Sequence, residues 1–122
     1  MDRLEVGHAA EDLALAYLAL RGLRLLARRF RAGKAEVDLV MLEGACTVFV
    51  EVKYRGPGSR GRSAEVVRGE QRMRMERAAA AWMAGHGLCD LRFDVVALDE
   101  DREELRVRHF RGAFPGSGRS AF

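Results

Sequence analysis

Residues 36–53 read EVDLVMLEGACTVFVEVK and form the most apolar run of the sequence. Valine, leucine, methionine and phenylalanine dominate its two runs, 37–42 and 46–52, and most of these residue types favour strands. Between the runs, residues 43–45 (Glu-Gly-Ala) can form a turn, so the stretch predicts a β-hairpin. Charged side chains nevertheless interrupt it, and charges are rarely buried in strands unless they are paired or bind an ion. These charged residues are Glu36, Asp38, Glu51 and Lys53.

The hydrophobic pattern selects one register for this hairpin. A register that pairs Leu42 with Thr47 also pairs Val37 with Val52, and it leaves a continuous apolar face between these two pairs. A slip by one residue would break up that face. We therefore expect the charged residues to converge on the other face.

In the same register Asp38 faces Glu51, and Glu36 faces Lys53. Directly opposed side chains have Cβ atoms roughly 4.5–5.5 Å apart, and like charges placed so are destabilising. The two acids therefore need a compensating cation. Lys53 is one candidate, and a divalent metal is the other. A structural salt-bridge cluster at the end of a sheet accounts for the charge pattern equally well.

Length and composition predict a single domain. The chain has 122 residues, 48% of them hydrophobic, which suits one compact domain over 1–111 and a flexible tail over 112–122. No stretch approaches the roughly 18–20 apolar residues of a membrane span, and the N-terminus lacks the apolar core of a signal peptide. We therefore expect a cytoplasmic protein without a membrane partner. Cys46 and Cys89 fit no metal or redox spacing.

The rest of the chain predicts helices and strands around the hairpin. Helical spacing and turn residues predict the order α-β-β-β-α-β-β, an α/β domain with a mixed central sheet and helices on both faces. The predicted helices cover 7–21 and 65–84, and the predicted outer strands cover 24–30, 92–98 and 104–110.

Two further residues stand out by type and position. Glu11 lies in line with apolar residues of the first helix such as Leu18, although an acid near a helix start can also simply offset the macrodipole. Among 21 basic residues only Lys34 and Lys53 are lysines. Lysine is a compact charge that loses its proton when desolvated, so Lys53 is a candidate for chemistry.

Several motifs together resemble the YraN-type family of small bacterial proteins, which are described as proposed endonucleases and are similar to archaeal Holliday-junction resolvases. The resemblance spans roughly residues 5–112. Its motifs are Gly7…Ala10-Glu11, Ala35-Glu36-Val37-Asp38-Leu39-Val40, Phe49-Val50-Glu51-Val52-Lys53-Tyr54-Arg55 and Arg92-Phe93-Asp94-Val95-Val96. Asp38, followed twelve residues later by Glu51-Val52-Lys53, also resembles the D…ExK pattern of restriction-endonuclease-like nucleases. The chain departs from the family pattern at Ala10 and Ala35, which replace glycines, and at Glu70, which replaces a common lysine.

The resemblance implies a restriction-endonuclease-like fold and an endonuclease that depends on Mg²⁺ or Mn²⁺. Asp38 and Glu51 would hold the metal with the carbonyl of Val52. Lys53 would orient or deprotonate the attacking water, or neutralise charge on the phosphate. Glu11 would complete the site.

Glu36 would orient Lys53 or only pair with it. The implied partner is nucleic acid, DNA in preference to RNA, with branched DNA as one expected substrate, and a homodimer is also implied. Arginines that could contact the nucleic-acid backbone, or belong to ordinary solvated surface, are Arg55, Arg60, Arg62, Arg68 and Arg72.

Two other functions stay open at this point. One is a catalytically silent nucleic-acid-binding or DNA-processing accessory domain, and the other is a structural domain that acts through protein partners.

Overall fold

The computed structural model describes residues 3–57 and 69–115. These residues form helices and strands in the predicted order α-β-β-β-α-β-β. The elements are α1 (Arg3–Leu20), β1 (Arg24–Ala32), β2 (Ala35–Glu43), β3 (Cys46–Arg55), α2 (Gly69–His86), β4 (Asp90–Glu100) and β5 (Leu105–Phe110). The first residues of the helix predicted over 65–84 lie outside the described part of the chain.

The strands form one five-stranded sheet in the order β1-β2-β3-β4-β5. The β3 and β4 strands are parallel, and every other neighbouring pair is antiparallel. A parallel pair needs a long crossover connection, and α2 lies in that connection. The prediction of a mixed sheet is confirmed.

The two helices cover opposite faces of the sheet, because each face carries its own apolar cluster. The cluster under α1 contains Ala10, Ala14, Leu18, Leu23, Leu39, Met41, Val48, Val50, Val96 and Leu98. The cluster under α2 contains Ala35, Val37, Val40, Phe49, Met75, Ala78, Ala79, Trp82, Phe93 and Phe114. Apolar residues on both sides of the inner strands are what a sheet covered on both faces requires.

A glycine ends α1 and turns the chain into the sheet. Gly22 has a φ of 94°, a left-handed conformation that glycine adopts without a Cβ penalty. The amide of Leu23 then donates to the carbonyl of Leu18 at 3.1 Å, which satisfies one of the free carbonyls at the helix end. Because Leu23 is itself buried, the turn also anchors α1 to the sheet.

The hairpin of β2 and β3 has the predicted register over most of its length. Leu42 pairs with Thr47 and Leu39 pairs with Val50. The connecting turn begins with Gly44, whose φ of 59° suits a two-residue hairpin turn. The alternation of apolar residues was therefore sufficient to fix this register.

Beyond the Leu39–Val50 pair the alternation breaks. Val37 packs on the α2 side and Val52 packs on the α1 side, so the prediction that they share one apolar face is wrong. The break lies between the Arg28–Leu39 and Phe30–Val37 pairs of β1 and β2, next to Arg29, whose φ is 48°.

The packed chain extends beyond the boundary expected at residue 111. Phe114 is 4% exposed, and its ring stacks on that of Phe93 with centroids 4.8 Å apart. Residues 116–122 of the expected tail lie outside the described residues. Within the described residues, neither helix is long and apolar enough to cross a membrane.

Candidate functional site

Charged residues of the hairpin meet in an open cleft next to α2. The cleft is lined by Lys34, Glu36, Asp38, Glu51, Gln71 and Arg74. The expected convergence of acids is therefore present in the folded chain. Each acid reaches the cleft from β2 or β3, and α2 contributes the side chains on its opposite wall.

Asp38 lies next to the point at which the pairing of β2 with β3 ends. Its Oδ2 accepts a hydrogen bond of 2.7 Å from the amide of Val52. In a regular antiparallel ladder that amide would face a backbone carbonyl, but the ladder ends at the Leu39–Val50 pair. The amide and carbonyl of one strand residue point toward the same neighbouring strand, so the Val52 carbonyl also faces the side of Asp38. A metal-binding role for this carbonyl stays a prediction.

The Asp38 carboxyl is held in its protonated form at neutral pH. Burial, the negative charge of Glu51 and a hydrogen bond with the Glu51 carboxylate together raise the pKa of Asp38 to about 8. The Val52 amide acts in the opposite direction because it stabilises the charged form. The two acids therefore lie close enough to share a proton, and a cation that binds between them would displace it.

Lys53 and Glu36 have different partners. The Nζ atom of Lys53 lies 3.4 Å from Oε2 of Glu51. Glu36 instead accepts a hydrogen bond of 3.0 Å from Nε of Arg31, the residue that directly faces it across β1 and β2. The predicted pairing of Glu36 with Lys53 is wrong, because the ladder between β2 and β3 ends before it reaches either residue.

Glu11 lies beside the site but belongs to the other face of the sheet. It is buried on α1, and its Oε1 accepts hydrogen bonds from Arg29 at 2.7 Å and from Arg28 at 3.3 Å. The negative charge of Glu11 also raises the pKa of Asp38, but by less than burial or the charge of Glu51 does. The alternative reading, an acid that offsets the helix macrodipole in the first turn, is wrong because that position in α1 belongs to Glu5.

The donor set of the cleft fits a hard divalent cation. Mg²⁺ is usually bound through one or two carboxylates and keeps several waters, and Asp38 and Glu51 supply two carboxylates. A third oxygen, Oε1 of Gln71, is buried and has no hydrogen-bond partner among the described residues. No group of three or more His, Cys, Asp and Glu side chains within those residues is arranged to hold a metal. The fit therefore depends on two acids and neutral oxygens.

Three residues of the cleft were not predicted from the sequence. Lys34 follows Gly33 in the turn between β1 and β2, and Gln71 and Arg74 lie on α2. The rarity of lysine was a signal for Lys34. The residues on α2 gave no such signal, because their approach to the hairpin depends on how α2 packs across the sheet.

The arginines expected to contact nucleic acid divide into two groups. Arg55 is exposed at the end of β3, and Arg72 is exposed on α2 with its guanidinium 5.3 Å from the ring centre of Phe114. Contact of Arg55 and Arg72 with the nucleic-acid backbone stays a prediction. Arg60, Arg62 and Arg68 lie outside the described residues.

A second charged cluster, away from the cleft, has a structural explanation. The carboxylate of Asp94 is fully buried and accepts hydrogen bonds from Arg92 at 2.8 and 2.9 Å and from the amide of Gly112 at 3.0 Å. His109 Nε2 lies 2.7 Å from the same carboxylate. Hydrogen bonds from His109, Arg92 and Gly112 lower the pKa of Asp94 despite its burial. The cluster ties the end of the described chain to β4.

Comparison with known proteins identifies the family. A family model described as "Uncharacterised protein family UPF0102" matches residues 10–98, which include the cleft. A UPF0102 protein of Anaeromyxobacter dehalogenans is 44% identical over 96% of this chain and 89% of its own length. A UPF0102 protein of Halorhodospira halophila is 50% identical over 80% of each chain. This chain therefore belongs to the UPF0102 family, which is the YraN-type family that its motifs resemble.

Proposed function

We propose that this protein is a divalent-cation-dependent endonuclease with a restriction-endonuclease-like fold, acting on DNA in preference to RNA and on branched DNA among its substrates. The observation that carries the proposal is the half-buried pair of acids, Asp38 and Glu51, with Lys53 beside it. A domain that needed only stability would not gain from two neighbouring carboxylates, because one of them must be protonated to relieve their repulsion.

The chain supplies the other requirements of phosphodiester hydrolysis. A bound Mg²⁺ or Mn²⁺ would neutralise charge on the phosphoryl oxygens and lower the pKa of water. Glu51 holds Lys53 at the edge of the acid pair, where its ammonium can stabilise the charge that develops on the phosphate. Lys34 and Arg74 line the same cleft and can contact the phosphates that flank the reacting one.

A second function, a catalytically silent nucleic-acid-binding domain, is favoured by one specific observation. Glu11 is bound by Arg28 and Arg29 and does not line the cleft, so the site has fewer acids than the family resemblance implies. Such a domain would bind nucleic acid through Lys34 and Arg74 but would not cleave it.

The test is a cleavage assay on a panel of substrates with Mg²⁺ or Mn²⁺: duplex DNA, single-stranded DNA, a flap, a four-way junction and duplex RNA. We expect cleavage by the wild type that EDTA abolishes and that Lys53→Ala reduces by about 10²-fold or more. Arg24→Ala, which changes an exposed residue at the distant end of β1, is the matched control and should leave the rate unchanged. Equal products from wild type and Lys53→Ala would point to a contaminating nuclease, and binding without cleavage would favour the silent domain.

A further inference from the structure

The amide of Gln71 has a fixed orientation in the cleft. Gln71 lies in the first turn of α2, and its Nε2 donates to Oε2 of Glu51 at 3.3 Å. The opposite orientation would bring two acceptor oxygens together, so the nitrogen faces Glu51. Its Oε1 is therefore directed away from that oxygen of Glu51.

This oxygen is buried and has no hydrogen-bond partner among the described residues. An unsatisfied buried acceptor is destabilising, and such groups usually have a protein, water or ion partner. Gln71 lines the same cleft as Asp38 and Glu51. An acceptor in this position calls for a ligand that carries positive charge or donates a hydrogen bond.

We propose that Oε1 of Gln71 is the third oxygen ligand of the divalent cation, an inference that rests on the metal site of the proposed function. Hard cations take amide carbonyl oxygens as well as carboxylates. Two ionised carboxylates already balance a charge of +2, so a neutral third ligand completes the coordination without adding negative charge. Gln71 supplies such a ligand from the wall of the same cleft.

The two ends of the amide have different roles, and substitutions can separate them. The nitrogen orients Glu51, and the oxygen binds the cation. Gln71→Leu removes both roles and keeps a similar size. Gln71→Glu removes the donor but keeps an oxygen and adds a negative charge. If only the nitrogen mattered, Gln71→Glu would repel Glu51 and weaken the site.

The experiment is calorimetric titration of Mn²⁺ into the full-length protein and its variants, with circular dichroism to establish that each is folded. We expect Gln71→Leu to bind Mn²⁺ roughly tenfold more weakly and Gln71→Glu to bind at least as tightly as the wild type. Arg77→Leu, which makes the same replacement at an exposed position of α2, should not weaken binding.

The outcomes distinguish this inference from the proposed function. If the wild type binds no Mn²⁺, the metal site itself fails. If the wild type binds but Gln71→Leu binds equally well, or if both Gln71 variants bind more weakly, the ligand role of Oε1 is overturned while the metal site stands.

Discussion

The chemistry of the cleft depends on one proton at Asp38. Its carboxyl has a pKa of about 8, so the cation-free protein holds a proton there at neutral pH. The sequence indicated that Asp38 and Glu51 would be neighbours, because the register followed from the apolar residues around them. It did not indicate that Asp38 would bond the Val52 amide, because the apolar pattern did not predict that the ladder between β2 and β3 ends at the Leu39–Val50 pair.

This proton makes the stability of the cation-free protein depend on pH. The folded pKa of Asp38 lies above its ordinary value, so the folded state binds the proton more tightly than the unfolded state. The resulting stabilisation is complete below the ordinary pKa and is lost as the pH rises through about 8. In EDTA we expect the free energy of unfolding to fall by a few kcal/mol between about pH 5 and pH 8.

Urea unfolding at both pH values measures this dependence, and Asp38→Asn is the control because it cannot ionise. Asp94 does not interfere, since its pKa is lowered and its contribution is lost only at more acidic pH. An equal pH dependence in wild type and Asp38→Asn would contradict the assignment of the proton to Asp38.

At the scale of the element, one glycine, Gly22, ends α1, and another, Gly7, lies inside it, where it lowers the stability of the helix. Both helices and all five strands were predictable from periodicity and turn residues, because those signals are local. The exact strand ends were not predictable, since they depend on pairing with neighbouring strands. Gly7 and Gly22 belong to the same region of the chain, but only Gly22 has a positive φ.

Alanine at these two positions should therefore have opposite effects on stability. Neither site has an atom within 4 Å of the added Cβ, so backbone conformation decides the sign. We expect Gly7→Ala, inside α1, to stabilise the protein by roughly 0.5–1 kcal/mol. Gly22→Ala should destabilise it by about 1–2 kcal/mol, because alanine is strained at a φ of 94°. Chemical denaturation measures both, and effects of the same sign would contradict the described end of α1.

At the scale of the whole molecule, the folded domain includes residues that sequence composition assigned to a tail. The glycines and serines of 112–122 predicted flexibility, and Phe114 was not recognised as a core residue because one aromatic residue has no periodicity. Its place against Phe93 depends on the Asp94 cluster, which brings Gly112 to β4.

Removal of the Phe114 side chain should therefore destabilise the whole domain. We expect Phe114→Ala to lower the free energy of unfolding by about 3–5 kcal/mol. Phe110→Ala is the matched control, because Phe110 is 37% exposed and should cost less than half as much. Equal losses in urea unfolding would contradict the packing of Phe114 in the core.

The distribution of charge over the whole molecule predicts how nucleic-acid binding depends on salt. Lys34 and Arg74 line the cleft, whereas Arg24 lies at the other end of β1. If Lys34 and Arg74 contact phosphates, the alanine variant of each should reduce the slope of the logarithm of the binding constant against the logarithm of the salt concentration by about 1. Arg24→Ala should leave the slope unchanged. Fluorescence anisotropy with labelled duplex DNA in EDTA measures the slopes, and equal reductions by all three variants would mean that binding is not centred on the cleft.

Calorimetric titration of Mn²⁺ into the wild type and Asp38→Asn tests whether Asp38 and Glu51 bind a divalent cation. Asp38→Asn keeps the size of the side chain and removes the charge that the cation needs. We expect one binding site in the wild type and at least a tenfold loss of affinity in the variant. No binding by the wild type, or equal binding by both proteins, would show that the two acids do not form a metal site.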